Sequence, residues 1–200
     1  MFNKPSQSIT QTRQKPRVCL ESSIFSALFG PEGERSKAYR SILLDAQEKR
    51  IECFVSALML VECDVANSNS IGKTETAEES TDVLFDIFES EAMTRCNVDP
   101  FVGELARSLK SQLAPISALS PQQWLWLATA LLQECDYLMT YEPRLLKLAG
   151  QPVLGEMKVT TPVRPWSSGQ LTLQDYAGVM DGVAAEAPAL GLIARRSIEI

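Results

Sequence analysis

Four acidic side chains follow strand-like segments of the sequence. Glu21 comes directly after the run Arg17–Leu20, Asp99 ends a later run, and Glu142 follows another. Glu62 lies about two turns into the helix predicted after the second strand-like run. Because ligands of an open parallel sheet bind beyond the carboxyl ends of its strands, we expect these acids to meet at one edge. A cluster of carboxylates repels itself unless a cation neutralises it, and such clusters hold Mg²⁺ at sites that cleave phosphodiesters.

The composition excludes several kinds of catalysis. The 200 residues include no histidine, 19 Lys plus Arg and 25 Asp plus Glu, for a formal net charge of −6. Without histidine there is no Ser-His-Asp or Cys-His catalytic group and no His-containing zinc site. The negative charge opposes nucleic-acid binding unless cations cluster locally. The best candidates for such a cluster are Arg13, Lys15, Arg17, Arg144 and Lys147.

The cysteines indicate a reducing compartment. They are Cys19, Cys53, Cys63, Cys96 and Cys135, an odd number, widely spaced and never in a C-x-x-C pair. Free cysteine in apolar surroundings behaves as a small buried hydrophobe, and we expect these to fill the core. No apolar run approaches the roughly 18 to 20 residues that span a bilayer. We therefore expect a cytoplasmic protein without a membrane segment.

Short apolar runs alternate with helical patterns along the chain. This alternation predicts an α/β protein, a three-layer α/β/α fold with a central parallel sheet of about five strands. The predicted strands are Arg17–Leu20, Ile51–Val55, Met93–Val98, Tyr137–Thr140 and Met157–Thr161. The predicted helices are Glu34–Lys49, one beginning after Ser56, Glu75–Glu91, one opening at Pro100, Gln122–Glu134 and Pro143–Leu148.

The two ends of the chain differ in composition from its middle. Residues 1–16 are polar and basic, without the apolar segment of a secretory signal, and we expect a disordered tail. Residues 17–165 form the predicted domain. After Pro162 and Pro165 begins an appendage, residues 166–200, with helical spacing weakened by glycines. We favour an appendage that packs on the domain, because one short helix is unstable alone; contact with a partner is the alternative.

Four short motifs occur in order between residues 17 and 163. They are Glu21-Ser22-Ser23-Ile24-Phe25, the run Ser56–Glu62, the run Gln123–Ala130 and Thr140-Tyr141-Glu142. Together they resemble the PIN domain family of Mg²⁺- or Mn²⁺-dependent ribonucleases, in particular its small VapC-like toxin members. The corresponding family motifs read Asp-Thr/Ser-Ser/Asn, Ser-x-x-Thr-x-x-Glu, Asp-Ala-x-x-x-Ala-Thr-Ala and Thr-x-Asp.

The resemblance implies a metal-dependent endoribonuclease acting on single-stranded RNA. It implies that Glu21, Glu62 and Glu142 hold Mg²⁺ or Mn²⁺ and that Gln123 orients substrate or water. By the same resemblance, Ser23 and Thr140 hydrogen-bond the acids or their water. It further implies a homodimer and an antitoxin peptide, or another protein, as partner.

The sequence departs from the family where the chemistry is concentrated. Glutamate replaces the family's aspartate at Glu21 and Glu142, and Gln123 replaces an acid. The extra methylene of glutamate moves the carboxylate by about 1.5 Å, one C–C bond. The alternative function is therefore a catalytically degenerate PIN-like binding or scaffold protein that acts through protein–protein contacts. Taken singly, Glu21 and Glu142 also suit helix capping, and Glu62 suits a solvated helix surface.

Two tryptophans lie close together in the third motif. Trp124 and Trp126 are two residues apart on a predicted helix, so they point about 200° apart and form no single stacking platform. We expect one in the core and the other partly exposed at an interface.

Overall fold

Five short strands form the centre of the molecule. They are β1 (Arg17–Leu20), β2 (Glu52–Ser56), β3 (Met93–Cys96), β4 (Tyr137–Met139) and β5 (Lys158–Thr160). All neighbours pair in parallel, in the order β3-β2-β1-β4-β5. The computed structural model describes residues 15–26, 34–62 and 85–166. Within this sheet, Val18 of β1 lies between Cys53 of β2 and Tyr137 of β4.

Both faces of the sheet are covered. Val18, Cys19 and Leu20 are all fully buried, although successive strand residues point to opposite faces. Parallel strands covered on both sides by helices require such continuous apolar runs. The predicted three-layer α/β/α fold around a parallel sheet of five strands is confirmed.

Helices occupy the connections between the strands. They are α1 (Ser22–Ser26), α2 (Glu34–Gln47), α3 (Met59–Glu62), α4 (Pro100–Leu113), α5 (Pro121–Leu132) and α6 (Pro143–Leu146). Residues 85–89, ahead of β3, are also helical. Proline opens α4, α5 and α6, where its missing N–H would have had no partner in the helix. In the described ranges, no helix has the length and apolar character needed to cross a bilayer.

Several elements end at other residues than the sequence predicted. Strand β2 extends to Ser56 because its pairing with β3 continues as far as Cys96. Helix α2 ends at Gln47, before the predicted Lys49, which adopts a φ of 56°. A residue in this left-handed conformation cannot continue a right-handed helix, so it terminates α2.

Some predictions concern residues outside the described ranges. These are most of the N-terminal tail, the appendage beyond Trp166, the first part of the helix Glu75–Glu91, and the residues Arg13 and Cys63.

The described cysteines lie in the core, as predicted. Cys19, Cys53, Cys96 and Cys135 are buried and free. Burial raises the pKa of the Cys96 thiol to about 11, and raises the pKa of Cys53 further. A thiol that stays protonated at neutral pH is a poor nucleophile, so these cysteines serve packing.

One charged side chain is fully buried in the described fold. The carboxylate of Asp45, on α2, is 0% exposed. It accepts hydrogen bonds from Arg50 Nε at 2.6 Å, from Arg164 Nε and Nη2 at 2.5 Å each, and from Trp166 Nε1 at 2.7 Å. Two guanidinium groups thus compensate the buried negative charge.

The Asp45 cluster fixes the end of the described chain to the domain. Arg164 and Trp166 follow β5 in sequence, and Trp166 also packs edge-on against Tyr137 at the start of β4, with ring centroids 5.7 Å apart. Burial acts to raise the pKa of Asp45, but the hydrogen bonds from Arg164, Trp166 and Arg50 outweigh it and lower the pKa. The cluster therefore favours the charged carboxylate in the folded state.

We expect Asp45→Asn to lower the free energy of unfolding by about 3 kcal/mol at pH 7, because Arg164 then remains largely buried without a negative partner. Urea unfolding followed by circular dichroism measures this. The matched control is Asp86→Asn at an exposed helical position, with an expected change within about 0.5 kcal/mol. Equal stability of the Asp45 variant and the wild type would contradict the role of the cluster.

The same variant carries a pH dependence. Because the folded-state pKa of Asp45 is lowered, its stabilisation is present above the unfolded-state pKa of about 3.9 and is lost as the pH falls through the folded-state pKa. The stability difference between wild type and Asp45→Asn should therefore stay constant between about pH 5 and 7 and narrow below about pH 4. A stability difference that widens as the pH falls would show that a group other than Asp45 controls the pH dependence.

Candidate functional site

The sheet reverses its direction of growth at β1. The chain passes from β1 to β2 and β3 on one side, and then returns to place β4 and β5 on the other. The edge beyond the carboxyl ends of β1 and β4 is therefore the topological switch point, where open α/β sheets bind ligands. Glu21 follows β1 directly, and Thr140 follows β4 directly.

The Glu21 carboxylate is buried at this point and surrounded by hydrogen-bond donors. The residue is 4% exposed. Its Oε1 accepts from Ser22 Oγ at 2.7 Å. Its Oε2 accepts from the Ser23 backbone N–H at 3.1 Å, from Ser23 Oγ, and from Thr140 Oγ1 at 2.8 Å. Since Ser23 lies in the first turn of α1, Glu21 also caps that helix.

The two hydroxyls connect the segments that follow β1 and β4. Thr140 Oγ1 donates to Glu21 and accepts from the Glu142 backbone N–H at 2.9 Å. Ser23 Oγ donates to Glu21 and accepts from the Tyr141 backbone N–H at 2.9 Å. The structure thus brings Glu21, Ser23 and Thr140 into one hydrogen-bonded cluster and adds Ser22, the residue between Glu21 and Ser23 in the first motif.

All the donors that the described residues supply to Glu21 are neutral. They are three hydroxyls and one backbone N–H. Hydrogen bonds satisfy a buried carboxylate but leave its net charge in place. The switch point therefore holds a buried carboxylate that contacts no cationic side chain among the described residues.

Glu142 is placed by the start of helix α6. It is the N-cap residue, and its Oε1 accepts from the Arg144 backbone N–H at 3.2 Å. Its backbone N–H donates to the Thr140 hydroxyl, so the backbone of Glu142 belongs to the cluster. Its carboxylate instead caps helix α6. From the described residues, Oε2 of Glu142 receives no hydrogen bond.

Glu62 is held by a residue distant in sequence. It ends α3, is half-buried, and its Oε2 accepts from Trp126 Nε1 at 2.7 Å. Trp126 is fully buried, and Trp124 is buried as well. The expectation that one tryptophan is partly exposed is therefore wrong. Helix α5 packs against α4 and also against β2 and β4, so both tryptophans lie in the interior.

Gln123 has a structural role at the start of α5. Its Oε1 accepts from the Ser120 backbone N–H at 2.9 Å, and its backbone N–H donates to Ser120 Oγ at 3.2 Å. This is a reciprocal capping box. The spacing Ser-x-x-Gln is itself the sequence signature of a capping box, so this structural role of Gln123 could have been predicted from the sequence. The carbonyl oxygen that a ligand would need is used by the cap.

The acids do not form a three-membered metal cage. Across the parts of the chain that the structure describes, no three Cys, Asp or Glu side chains are grouped so that they could hold a metal ion. Asp99 caps α4 by accepting from the Val102 backbone N–H at 3.0 Å. The donor chemistry nevertheless fits Mg²⁺ or Mn²⁺, because Mg²⁺ is commonly bound through one or two carboxylates with waters and substrate phosphates.

A separate groove of about 490 Å³ was not anticipated from the sequence. It lies between β3, the start of α4 and the end of α5, and its lining includes Arg95, Phe101 and Leu132. Phe101 is 72% exposed and Leu132 is 43% exposed. Of the four acids expected to meet at one edge of the sheet, Asp99 lines this groove, whereas Glu21, Glu62 and Glu142 do not.

A comparison with known proteins finds no family model and no curated protein that matches the chain. The resemblance to the PIN family thus rests on the four sequence motifs.

We expect Thr140→Val to lower the free energy of unfolding by about 1–3 kcal/mol, because the Glu21 carboxylate and the Glu142 N–H each lose a buried partner. The matched control is Thr129→Val, which removes a buried hydroxyl that donates only to Leu125 O of its own helix, at 2.8 Å. We expect a change of about 1 kcal/mol or less there. Urea unfolding measures both, and a Thr140 variant as stable as the Thr129 variant would contradict the cluster's importance.

Proposed function

We propose that this chain is a metal-dependent endoribonuclease that hydrolyses phosphodiester bonds of single-stranded RNA, of the PIN-like toxin type. The observation that carries the proposal is the buried Glu21 carboxylate at the β1–β4 switch point, supplied with neutral donors only by the described residues. Ligands of parallel sheets bind at this place, and a buried negative charge there favours a divalent cation. The four motifs supply the expectation of RNA as substrate.

The chain's own residues would each have a distinct part. Glu21, with Glu142 beside it in the hydrogen-bonded cluster, would hold Mg²⁺ or Mn²⁺, which when bound supplies Lewis-acid activation of a water and charge neutralisation at the phosphodiester. Glu62, the third acid that the resemblance implies, has its Oε2 engaged by Trp126. Ser23 and Thr140 hold the Glu21 carboxylate in one orientation through their hydroxyls. The amide nitrogen of Gln123, which donates to no described residue, is the group left to orient the substrate.

The cellular setting belongs to the same proposal. We place the protein in the cytoplasm as a homodimer with an antitoxin peptide or another protein as partner, all of which the family resemblance implies. Beside Glu142, Arg144 and Lys147 offer positive charge to an RNA backbone in a protein that is otherwise acidic.

The decisive assay is cleavage of a mixed RNA pool with Mg²⁺ or Mn²⁺. We expect Glu21→Gln combined with Glu142→Gln to reduce the cleavage rate at least about 100-fold, a barrier increase of roughly 2.7 kcal/mol, because both changes remove a carboxylate at the proposed cation site. Excess chelator should have the same effect on the wild type. The matched control is Glu104→Gln at an exposed position of α4, which should cleave at the wild-type rate. Equal background in the wild type and the double variant would refute the nuclease.

A second function is favoured by a different observation. The Gln123 carbonyl is used in the capping box, and no three acids are grouped for a metal in the described ranges. A degenerate PIN-like protein that binds a partner through its surface fits this arrangement. The exposed Phe101 and Leu132 at the groove offer it an apolar contact area. In the cleavage assay this function predicts no metal-dependent difference between the wild type and the double variant.

A further inference from the structure

Strand β3 forms one edge of the sheet, and its outer side is open. Within the described sheet it pairs with β2 alone, and its Cys96 carbonyl accepts from the Ala57 N–H at 2.8 Å. In a parallel strand the N–H and C=O of one residue point the same way, and successive residues alternate. Thr94 and Cys96 therefore bond to β2, while Arg95 presents its N–H and C=O outward. Among the described residues, no backbone hydrogen bond reaches these groups of Arg95 or those of Asn97.

The outer side of β3 is also accessible. Arg95 and Asn97 are exposed, and so are Val98 and Asp99, which lead into α4. At the opposite edge of the sheet, the central residue of β5, Val159, is only 5% exposed. The two edges therefore differ, and β3 is the edge that an added strand can reach.

The groove beside the start of α4 lies along this open edge. The side chains of Thr94 and Cys96 share one face of β3, and both residues line the groove. Phe101 from α4 and Leu132 from α5 also line it, and both are exposed. A strand added to β3 would therefore place every second side chain against this apolar pair.

Arg95 supplies a positive charge on the opposite face of β3. Its guanidinium lies 5.5 Å from the ring centroid of Phe88, and its Nη1 lies 3.7 Å from Glu89 Oε1. The two side chains of this ion pair are 51% and 68% exposed, so the pair contributes little and is open to competition. Two copies that paired through β3 and were centred on Arg95 would set like charges opposite each other, which is unfavourable, whereas a carboxylate at that position is favourable.

We propose that the β3 edge is a docking site for an extended segment of a partner protein, which adds to the sheet as a further parallel or antiparallel strand. Its backbone pairs with the outward N–H and C=O groups of Arg95 and Asn97, because strand addition takes its affinity from the main chain. Its apolar side chains contact Phe101 and Leu132, and the acidic side chain between them faces Arg95. The segment that fits is one of alternating apolar and acidic residues. The proposal goes beyond RNA cleavage and does not rest on it.

Hydrogen exchange of the full chain, followed by NMR, tests the open edge without any ligand. We expect the N–H groups of Arg95 and Asn97 to exchange at least about 10-fold faster, relative to their intrinsic rates, than those of Thr94 and Cys96. The latter two are the matched control, because they lie in the same strand and face β2. Equal protection of both pairs would show that another segment of this chain or a second copy already covers the edge, and would overturn the proposal.

The binding probe is a synthetic peptide of alternating valine and glutamate, titrated into the full chain by calorimetry. We expect Arg95→Glu to weaken its binding at least about 10-fold, because a carboxylate then faces a carboxylate. Arg107→Glu makes the same charge change at an exposed position of α4 outside the groove, and should bind within about threefold of the wild type. A peptide of alternating valine and lysine should bind the wild type at least about 10-fold more weakly.

The apolar and main-chain contacts are tested in the same titration. We expect Phe101→Ala to weaken binding about 10-fold, and Ile116→Ala, an exposed apolar residue outside the groove, to leave it unchanged. Methylation of the peptide amides that face β3 should abolish binding, because it removes the donors of the added strand. A methylated peptide that binds as well as the unmethylated one would overturn strand addition, and so would equal binding to Arg95→Glu and the wild type.

Other outcomes separate this proposal from its alternatives. A wild-type dimer that Phe101→Ala separates into monomers, measured by light scattering, would assign the edge to a second copy and overturn the partner segment. Arg95→Glu should cleave RNA at the wild-type rate, since Arg95 lies outside the proposed cation site. Peptide binding without any RNA cleavage would support the docking site and refute the nuclease, and cleavage without peptide binding would do the reverse.

Discussion

Two buried carboxylates, Asp45 and Glu21, are accommodated in different ways in this fold. Asp45 meets two guanidinium groups and an indole, so its charge is neutralised within the protein. Glu21 meets hydroxyls and a backbone N–H, so its hydrogen bonds are satisfied while its charge remains. An uncompensated ion in the interior costs several kcal/mol, so each arrangement must be backed by the surrounding packing. The first arrangement stabilises the fold, and the second leaves a carboxylate without a cationic partner among the described residues, on which the proposed cation site rests.

The fold was largely predictable because its signals are local. Apolar runs too short for helices alternate with amphipathic segments, and only a parallel sheet covered on both faces accommodates that pattern. The proline-first helices at Pro100 and Pro121 are equally local, since they depend on one ring and one missing N–H. The ends of elements were less predictable. Strand β2 gains Ser56 through pairing with β3, and that pairing is decided by a segment distant in sequence.

The site was less predictable because its contacts join distant residues. Asp45 and Arg164 are 119 positions apart, and nothing near either one indicates the other. The same holds for Trp126 and Glu62, since a tryptophan on an apolar helix ordinarily belongs to the core. Gln123 is the exception. Its capping role follows from the local Ser-x-x-Gln spacing with Ser120, which is a signal of helix start independent of any catalytic motif.

The hydroxyls of Ser23 and Thr140 satisfy the Glu21 carboxylate without a cation. Since Ser23, Thr140 and the start of α1 already satisfy the Glu21 carboxylate, the crevice is stable without an ion, unlike a dense acidic cluster that repels itself. A cation bound through two carboxylates would be close to electrically neutral, which suits a ligand set completed by substrate phosphates. On the proposed function, the neutral Gln123 would leave the site to complete its coordination with phosphates of the substrate.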